Sequence, residues 1–251
     1  MLPSLAKRIR DSQSKFTLFH TSSVTEDTLN KAINTDKSID IDIAVNVDWT
    51  PFIGHSLEYY RISGEDRPTC MSFESALSQI SVSHIPVILD CKELGAWSYI
   101  LDALERIGPH RCMVHIYPTE LRFSHFEWAD YDYPSEWIPI GYLRALKEKF
   151  PNVTTTVSCK YLPPDTLKNS DHREKLIYIK TLLQEHHIDS LCLNVLDNTM
   201  DDATIDFFHD AGIILHVNID TKDVGTLHGV YIWETDILAH SSDAKKLWYG
   251  N

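Results

Sequence analysis

The sequence has no long apolar run, no cluster of basic residues and no apolar segment at its amino terminus. No stretch approaches the ~18 apolar residues of a membrane-spanning helix, and the first 15 residues carry charges throughout, unlike a signal peptide. The net charge is −13 and the pI is near 5.4, without grouped Lys or Arg to neutralise the phosphates of a nucleic acid. We therefore expect a cytoplasmic protein without a transmembrane segment or a nucleic-acid partner.

Cysteine is scarce, and its spacing is irregular. The chain has an odd number of cysteines, namely Cys70, Cys91, Cys112, Cys159 and Cys192. Most of them lie inside apolar strand-like runs, and no zinc-site spacing occurs among them. We interpret them as reduced core residues of an intracellular protein, because disulfides are rare in reducing compartments.

Apolar strand-like segments alternate with helical patterns along the whole chain, with no internal repeat and no low-complexity linker. Eight strands are predicted, beginning near residues 16, 39, 86, 112, 153, 188, 213 and 230. Continuous apolar strands that alternate with helices are typical of a parallel sheet closed into a barrel. A doubly wound open sheet is the alternative, but the glycine-rich first turn that usually marks its nucleotide site is absent. The sequence therefore predicts an α/β fold, a single (β/α)8 TIM barrel domain over 1–251 with an amino-terminal segment at 1–14.

The predicted second strand alternates acidic and apolar residues, with the sequence SIDIDI at 38–43. In a strand, this period of two sends the three isoleucines to one face and Asp40 and Asp42 to the other. Buried carboxylates cost several kcal/mol each unless they take up protons or are compensated, so such a face usually implies a cation. A divalent metal ion is the simplest answer, and the alternative is a salt-bridged pair that faces Lys92 without a metal.

Polar residues collect at the carboxyl ends of the predicted strands. His20 ends the first strand, Asp40 and Asp42 lie in the second, and Asp90 and Lys92 end the third. The further residues of this kind are His55, in the loop after the second strand, and His115, Tyr117, Ser158, Lys160, Asn194, His216, Asn218, Glu234 and Asp236. Catalytic residues of such barrels sit at this end, and the opposite strand ends show no comparable set. This asymmetry indicates an enzyme.

The types of these residues point to phosphate chemistry. Asp40, Asp42 and Asp90 offer hard oxygen ligands, which suit Mg²⁺ or Ca²⁺ rather than a soft metal. Such an ion commonly holds phosphate oxygens and neutralises the charge that builds as a P–O bond is exchanged. Lys92 adds a second positive charge against the same phosphate. Two histidines on opposite sides of this centre then divide the work, one attacking phosphorus or deprotonating the nucleophile and the other protonating the leaving oxygen.

A long loop at 118–139 is rich in aromatic and acidic residues. It contains Phe123, Phe126, Glu127, Trp128, Asp130, Tyr131, Asp132, Tyr133, Glu136 and Trp137. Long loops at this face of a barrel often act as lids, and aromatic planes beside carboxylates suit a choline-like cation or a sugar. The alternative is that these rings only roof the barrel. A helix is predicted to follow, over about 136–150.

Taken together, these residues resemble the motifs of the glycerophosphodiester phosphodiesterase superfamily, the phospholipase-C-like barrels. The resemblance lies in His20, Glu26-Asp27-Thr28-Leu29, Asp40-x-Asp42, His55, Asp90-x-Lys92 and a closing Trp233-Glu234-Thr235-Asp236. The interval from His20 to Asp40, the interval from Asp42 to His55 and the Asp-x-Lys form are also similar to sphingomyelinase D, a phospholipase-D-type member. The strand that ends in Asp90-x-Lys92 is further similar to the Menorin family. All but the closing motif fall within the first ~90 residues.

The resemblance implies a metal-dependent phosphodiesterase of lipid metabolism, either a phosphoric diester hydrolase or a lyase-type enzyme that forms a cyclic phosphate. It implies that Mg²⁺ or Ca²⁺ is bound by Asp40, Asp42 and Asp90, and that the catalytic residues are His20, His55 and the phosphate-contacting Lys92. The further candidates for substrate binding are His115, Tyr117, Lys160, Asn194 and Trp233. The expected substrate is a small glycerophosphodiester- or phospholipid-like molecule.

Three motifs depart from the family pattern. Thr21-Ser22 stands where the hydrolases carry Arg-Gly, Ser56 replaces the aspartate after the second histidine, and Asp40 is one methylene shorter than the usual Glu. These changes bear on the substrate more than on the metal site, since the first removes an arginine that would grip the phosphate. The alternative is a non-catalytic barrel of the same descent that binds a phosphorylated ligand or a protein partner. A barrel aldolase or isomerase that uses Lys92 or Lys160 covalently is a third interpretation.

Overall fold

The computed structural model describes residues 18–20, 24–35, 38–125, 133–159, 170–194, 203, 207–208, 210–218 and 230–235. At 18–20, 123–125, 171–172, 193–194, 215–218 and 230–235 the backbone alone is described. Within these ranges, no helix has both the length and the apolar character needed to cross a membrane.

The strands of the described chain form one closed ring with two short additions. They are β1 (Leu18–His20), β2 (Ser38–Val45), β3 (Pro51–Ile53), β4 (Val87–Cys91), β5 (Cys112–Pro118), β6 (Trp137–Ile138), β7 (Thr154–Cys159), β8 (Ser190–Asn194), β9 (Ile214–Asn218) and β10 (Val230–Thr235). Eight of them run parallel around the ring in the order β1, β2, β4, β5, β7, β8, β9 and β10. The ring closes because β1 pairs with both β10 and β2, where Leu18 lies opposite Ser38 and Phe19 opposite Ile39. The predicted (β/α)8 barrel is thereby confirmed.

Helices connect the barrel strands. The α-helices whose bounds the structure describes are α1 (Glu26–Asn34), α2 (Leu57–Ser63), α3 (Phe73–Val82), α4 (Trp97–Ile107), α5 (Gly141–Lys149) and α6 (Ser170–Glu185). The first three each begin at a hydroxyl side chain that accepts a backbone N–H of the first turn, supplied by Thr25, Ser56 and Ser72. Ser56 matters for the site described below, because it fixes the start of α2 directly after His55.

The isoleucines of β2 pack in the apolar core, as the period-two pattern predicts. Ile39, Ile41 and Ile43 are each at most 3% exposed and pack in the apolar core between the barrel and its helices. Burying each such side chain contributes ~1.5–3 kcal/mol to stability. Asp40 and Asp42 have the opposite phase in the same strand, so their side chains face the inside of the ring.

The structure differs from the helix predicted over 136–150. A 3₁₀ turn at Pro134–Glu136 and strand β6 come first, and α5 begins only at Gly141. Pro139 explains the difference, because proline has no N–H to donate and disfavours helical geometry in the residue before it. Strand β3, which is antiparallel to β2, and helix α2 are further elements that the sequence analysis did not predict.

Candidate metal and active site

Strand register brings three carboxylates together at the carboxyl end of the barrel. Asp42 of β2 lies opposite Asp90 of β4, and Asp90 lies opposite His115 of β5. One carboxylate oxygen from each of Asp40, Asp42 and Asp90 lies within 4.8 Å of the others. Asp40 and Asp90 are each only 2% exposed. We call these three residues the carboxylate cluster.

Lys92 supplies a buried positive charge to the carboxylate cluster. Its Nζ lies 2.7 Å from Oδ2 of Asp90 and 3.3 Å from Oδ1 of Asp42. Burial alone would lower the pKa of Lys92, but Asp42 and Asp90 outweigh it and raise the pKa well above its ordinary value. Lys92 is therefore a charged ammonium, fixed among the carboxylate oxygens.

The three carboxylates are compensated unequally. Burial, followed by the charges of Asp42 and Asp90, raises the pKa of Asp40 well above its ordinary value despite the opposing charge of Lys92. Burial would also raise the pKa of Asp90, but His115 and Lys92 outweigh it and hold that pKa low. Oδ1 of Asp90 accepts no hydrogen bond from the part of the chain that the structure describes. The cluster therefore has negative charge in excess, which suits a cation that prefers oxygen ligands.

His115 borders the cluster from β5. Its Nδ1 lies 2.8 Å from Oδ2 of Asp90, and its Nε2 lies 2.8 Å from the hydroxyl oxygen of Ser158. The histidine is 2% exposed and Ser158 is 5% exposed. His115 is therefore bound to buried partners within the protein, and its predicted contact with a substrate stays a prediction.

His55 lies at the rim of the cluster, held there by the backbone of Gly54 and by two tyrosines. The N–H of Gly54 donates to the carbonyl of Asp42 at 3.0 Å, and its φ of 143° favours glycine. A Cβ at Gly54 would lie 2.7 Å from the hydroxyl of Tyr60, which accepts the N–H of His55 at 3.1 Å. The ring of His55 stacks on Tyr59 with centroids 4.0 Å apart, and its Nε2 lies 3.6 Å from Oδ2 of Asp42.

Glu136 belongs to this site, although the sequence analysis did not single it out. Its Oε1 lies 3.2 Å from Nδ1 of His55 and accepts the N–H and the hydroxyl of Ser56 at 3.2 and 3.1 Å. Burial would raise the pKa of Glu136, but His55 and Lys92 outweigh it and hold the pKa below its ordinary value. Its signal in the sequence was weak, because it is one of many acids in the loop at 118–139.

The end of β1 places the backbone of His20 at the same end of the barrel. His20 directly follows Phe19, which lies opposite Ile39, the residue before Asp40. The backbone of His20 is therefore level with the first residue of the carboxylate cluster. Its side chain lies outside what the structure describes, so its catalytic role stays a prediction.

The candidate substrate contacts are described in part. The ring of Tyr117 lies near Lys92, with 5.0 Å between the ring centroid and Nζ of Lys92. Burial raises the pKa of Tyr117 well above its ordinary value. Asn194 ends β8 and Trp233 lies in β10, with the backbone alone described. Lys160 lies outside the described residues, as do 126–132 of the loop predicted to be a lid. Their contacts with a substrate stay predictions.

The Glu26-Asp27-Thr28-Leu29 motif forms the first turn of α1. Thr25 and Thr28 exchange hydrogen bonds as a capping box, with N to Oγ1 distances of 2.8 and 3.2 Å. Leu29 is fully buried in the apolar core. The motif therefore helps to form the amino-terminal end of α1.

No protein-family model matches this sequence, and a comparison with curated proteins finds no match. Among solved structures, the chain is similar to a glycerophosphodiester phosphodiesterase from Parabacteroides distasonis ATCC 8503, with a TM-score of 0.55 and 11% identity, covering 91% of this chain and 96% of that chain. It is also similar to a glycerophosphodiester phosphodiesterase from Agrobacterium tumefaciens str. C58, with a TM-score of 0.53 and 10% identity, covering 88% and 96%. At these identities the likeness shows that the chain shares its fold with the two proteins.

Proposed function

We propose that this chain is a metal-dependent phosphodiesterase that acts on a glycerophosphodiester- or phospholipid-like substrate. The observation that carries the proposal is the buried carboxylate cluster with Lys92 among its oxygens, at the barrel end where catalytic residues collect. Hard oxygen ligands beside a fixed ammonium suit phosphate chemistry. The fold shared with two glycerophosphodiester phosphodiesterases supports the same conclusion.

The carboxylate cluster is suited to hold Mg²⁺ or Ca²⁺. Its donors are oxygen atoms alone, and burial, followed by the charges of Asp42 and Asp90, raises the pKa of Asp40. Oδ1 of Asp90 is without a hydrogen bond from the described chain and is therefore open to an ion. When bound, such an ion holds phosphate oxygens and neutralises the negative charge that develops on them.

The residues around the cluster have separate tasks in this proposal. Lys92, fixed between Asp42 and Asp90, presents its positive charge to the substrate phosphate. Nε2 of His55 exchanges a proton with an oxygen of the reacting phosphodiester, and His20 carries out the opposite proton transfer. Attack by water gives a phosphomonoester, whereas attack by a neighbouring hydroxyl of the substrate gives a cyclic phosphate.

Phosphorus NMR of the purified chain with a panel of phosphodiesters tests the proposal. The panel contains glycerophosphocholine, other glycerophosphodiesters, lysophosphatidylcholine and sphingomyelin, each with Mg²⁺, with Ca²⁺ and with EDTA. We expect a new phosphomonoester or cyclic phosphate signal that EDTA abolishes. His20→Ala and His55→Ala should each lower turnover by at least ~10²-fold. His84→Ala, at an exposed histidine just before β4, is the matched control.

Each outcome has a separate meaning. Turnover that persists in EDTA, or that survives His20→Ala and His55→Ala, contradicts the proposed mechanism. Silence across the panel, with Mg²⁺ or Ca²⁺ binding measured by calorimetry, means that the substrate is a different phosphodiester. Silence without metal binding favours the non-catalytic barrel.

A further inference from the structure

We propose that Glu136 is a positioning residue that keeps a proton on Nδ1 of His55 and so reserves Nε2 for the proton that moves in catalysis. The arrangement behind this proposal is one imidazole ring between two carboxylates, with Glu136 at Nδ1 and Asp42 at Nε2. The catalytic meaning of this tautomer rests on the proposed function, whereas the tautomer itself is a property of the resting protein.

Glu136 is a fixed hydrogen-bond acceptor. Its Oε1 accepts both the backbone N–H and the hydroxyl of Ser56, and the residue is 6% exposed. A carboxylate held by two such donors has little freedom to turn, and in its ionised form it can only accept from a ring nitrogen. Nδ1 of His55 lies 3.2 Å from this same oxygen, within hydrogen-bond range. The ring nitrogen that faces Glu136 must therefore carry a hydrogen.

The two distances decide between the tautomers of neutral His55. With hydrogen on Nε2, the N–H would point towards Oδ2 of Asp42 at 3.6 Å, a distance too long for a hydrogen bond. The lone pair of Nδ1 would then face the carboxylate oxygen of Glu136 at 3.2 Å, which is repulsive. With hydrogen on Nδ1, the ring makes the shorter contact a hydrogen bond. The lone pair of Nε2 then faces the rim of the carboxylate cluster.

Two tyrosines locate the ring independently of Glu136. Tyr59 stacks on the imidazole with an interplanar angle of 15°, and the hydroxyl of Tyr60 accepts the backbone N–H of His55 at 3.1 Å. Removal of the Glu136 carboxylate should therefore change which nitrogen carries the hydrogen without displacing the ring. This separation makes the positioning role measurable.

The proton transfers balance with His55 as the base. As the new O–P bond forms, the proton of the attacking hydroxyl or water passes to Nε2, and the other histidine gives its proton to the leaving oxygen as the old O–P bond breaks. Glu136 then faces an imidazolium and stabilises it without itself becoming protonated. Because the imidazolium exists only after the proton has moved, the contribution of Glu136 should appear in kcat rather than in KM.

A matched control lies in the same segment of the chain. Residues 133–136 also dock on α2 through Ser135, whose N–H donates to Oε2 of Glu58 at 2.8 Å. Glu58→Gln removes a carboxylate charge from this docking contact and leaves Glu136 against His55. It therefore separates weakened docking of the segment from loss of the contact at Nδ1.

Nitrogen-15 NMR of the histidine rings reports the tautomer directly, and His55→Gln assigns the signals. In the wild type we expect His55, where its ring is neutral, to have a protonated Nδ1 and a bare Nε2. Glu136→Ala should shift the ring towards the Nε2–H form and lower kcat by about 10²-fold, with KM within about twofold. Glu136→Gln keeps an acceptor and the tautomer but loses the charge, so kcat should fall by about tenfold. Glu58→Gln should leave both measurements unchanged.

An unchanged nitrogen pattern in Glu136→Ala overturns the proposal, and so does an equal fall in kcat in Glu58→Gln. Urea unfolding shows whether Glu136→Ala is folded. If it is not, Glu136→Gln decides, because a kcat equal to that of the wild type overturns the proposal. A shifted nitrogen pattern in a protein that turns over no phosphodiester supports the effect of Glu136 on His55 and contradicts the proposed function, so the two failures are distinguishable.

Discussion

The two ends of the barrel use buried charge in opposite ways. At the carboxyl end, the carboxylate cluster crowds three acidic groups around Lys92, and burial together with this crowding raises the pKa of Asp40. At the amino end, the buried guanidinium of Arg111 donates to three backbone carbonyls, which belong to α3, to the end of α4 and to the segment before β4, at 3.0 to 3.3 Å. One end gathers like charges, and the other distributes a charge over carbonyl dipoles.

A second charge at the amino end, the carboxylate of Asp189, is likewise held by several hydrogen bonds from the protein. Oδ2 of Asp189, just before β8, accepts a hydrogen bond from Nζ of Lys147 at 2.6 Å. It also accepts hydrogen bonds from the N–H and the hydroxyl of Thr155 at 3.0 and 3.2 Å. These bonds tie α5, β7 and β8 together. The difference teaches that charge at the amino end is balanced by the protein itself and stabilises the fold, whereas charge in the carboxylate cluster is balanced only in part, by Lys92 and His115.

The largest effect should come from Lys92→Met, which removes the buried cation of the crowded end. Asp42 and Asp90 would lose their common partner, and breaking a buried pair in this way typically costs ~3–5 kcal/mol. We expect a fall of this size in the free energy of unfolding, measured by urea denaturation in EDTA. Phosphodiester turnover should fall by at least ~10²-fold as well.

The double variant Lys92→Met with Asp90→Asn is the control for this change. It removes a negative charge together with the positive one and should recover part of the lost stability. If Lys92→Met is as stable as the wild type in EDTA, the carboxyl end is not under electrostatic stress and the contrast between the two ends fails.

Arg111→Met should have the next largest effect, and on stability alone. The carbonyls of Ile85 and Ile107 would lose a buried donor, and each unsatisfied group costs ~1–3 kcal/mol, whereas the carbonyl of Ile80 would keep its hydrogen bonds from Ser83. We expect a loss of about 2–4 kcal/mol in the free energy of unfolding, because water and relaxation replace part of the bonding. Calorimetry should show Mg²⁺ affinity within about twofold of the wild type. A large change in metal affinity would show that the two ends are coupled.

The fold could be predicted from the sequence because its signals are local. The isoleucines of β2 face the core as the period-two pattern indicates, and Asp42 meets Asp90 because neighbouring parallel strands end at the same edge. The alternation of strands and helices was sufficient for the barrel. These features need only a few residues of context each.

Glu136 could not be predicted, because its partners are remote in the sequence. It lies 81 residues from His55 and 80 from Ser56, so their contact depends on how the loop at 118–139 returns to the barrel. The helix predicted over its position was wrong for a local reason, because Pro139 disfavours helical geometry in the residue before it and the helix begins only at Gly141. A site residue carried by a returning loop has little signal of its own.

Asp40→Asn should have a smaller effect and the opposite sign, stabilising the metal-free protein. The pKa of Asp40 is raised in the fold, so the folded protein binds this proton more tightly than the unfolded chain. The destabilisation therefore grows as the pH rises from the ordinary value of about 3.8 through the raised value. We expect the gain of Asp40→Asn in EDTA to be smallest near pH ~4 and to reach ~1–2 kcal/mol towards neutral pH.

The same variant should weaken Mg²⁺ binding by at least ~10-fold, because it removes a charged ligand. Asp66→Asn, at an exposed aspartate in the loop before α3, is the matched control and should change neither quantity. A loss of stability in Asp40→Asn at neutral pH would contradict the view that the cluster is short of positive charge.

The smallest changes in stability should come from substituting two lysines of α5, Lys147 and Lys149, which should differ in their effect. Lys147 is 20% exposed and bonds Asp189, whose remaining hydrogen bonds to Thr155 would survive Lys147→Met, so the expected loss is only ~1 kcal/mol. Lys149 is 53% exposed and pairs at 3.0 Å with Glu105, which is 58% exposed. Water screens that pair, so Lys149→Met should leave the unfolding midpoint in urea unchanged. Equal losses in both variants would mean that burial does not set the strength of these pairs. The saturated bonding at Asp189 would then no longer explain why charge at the amino end stabilises the fold.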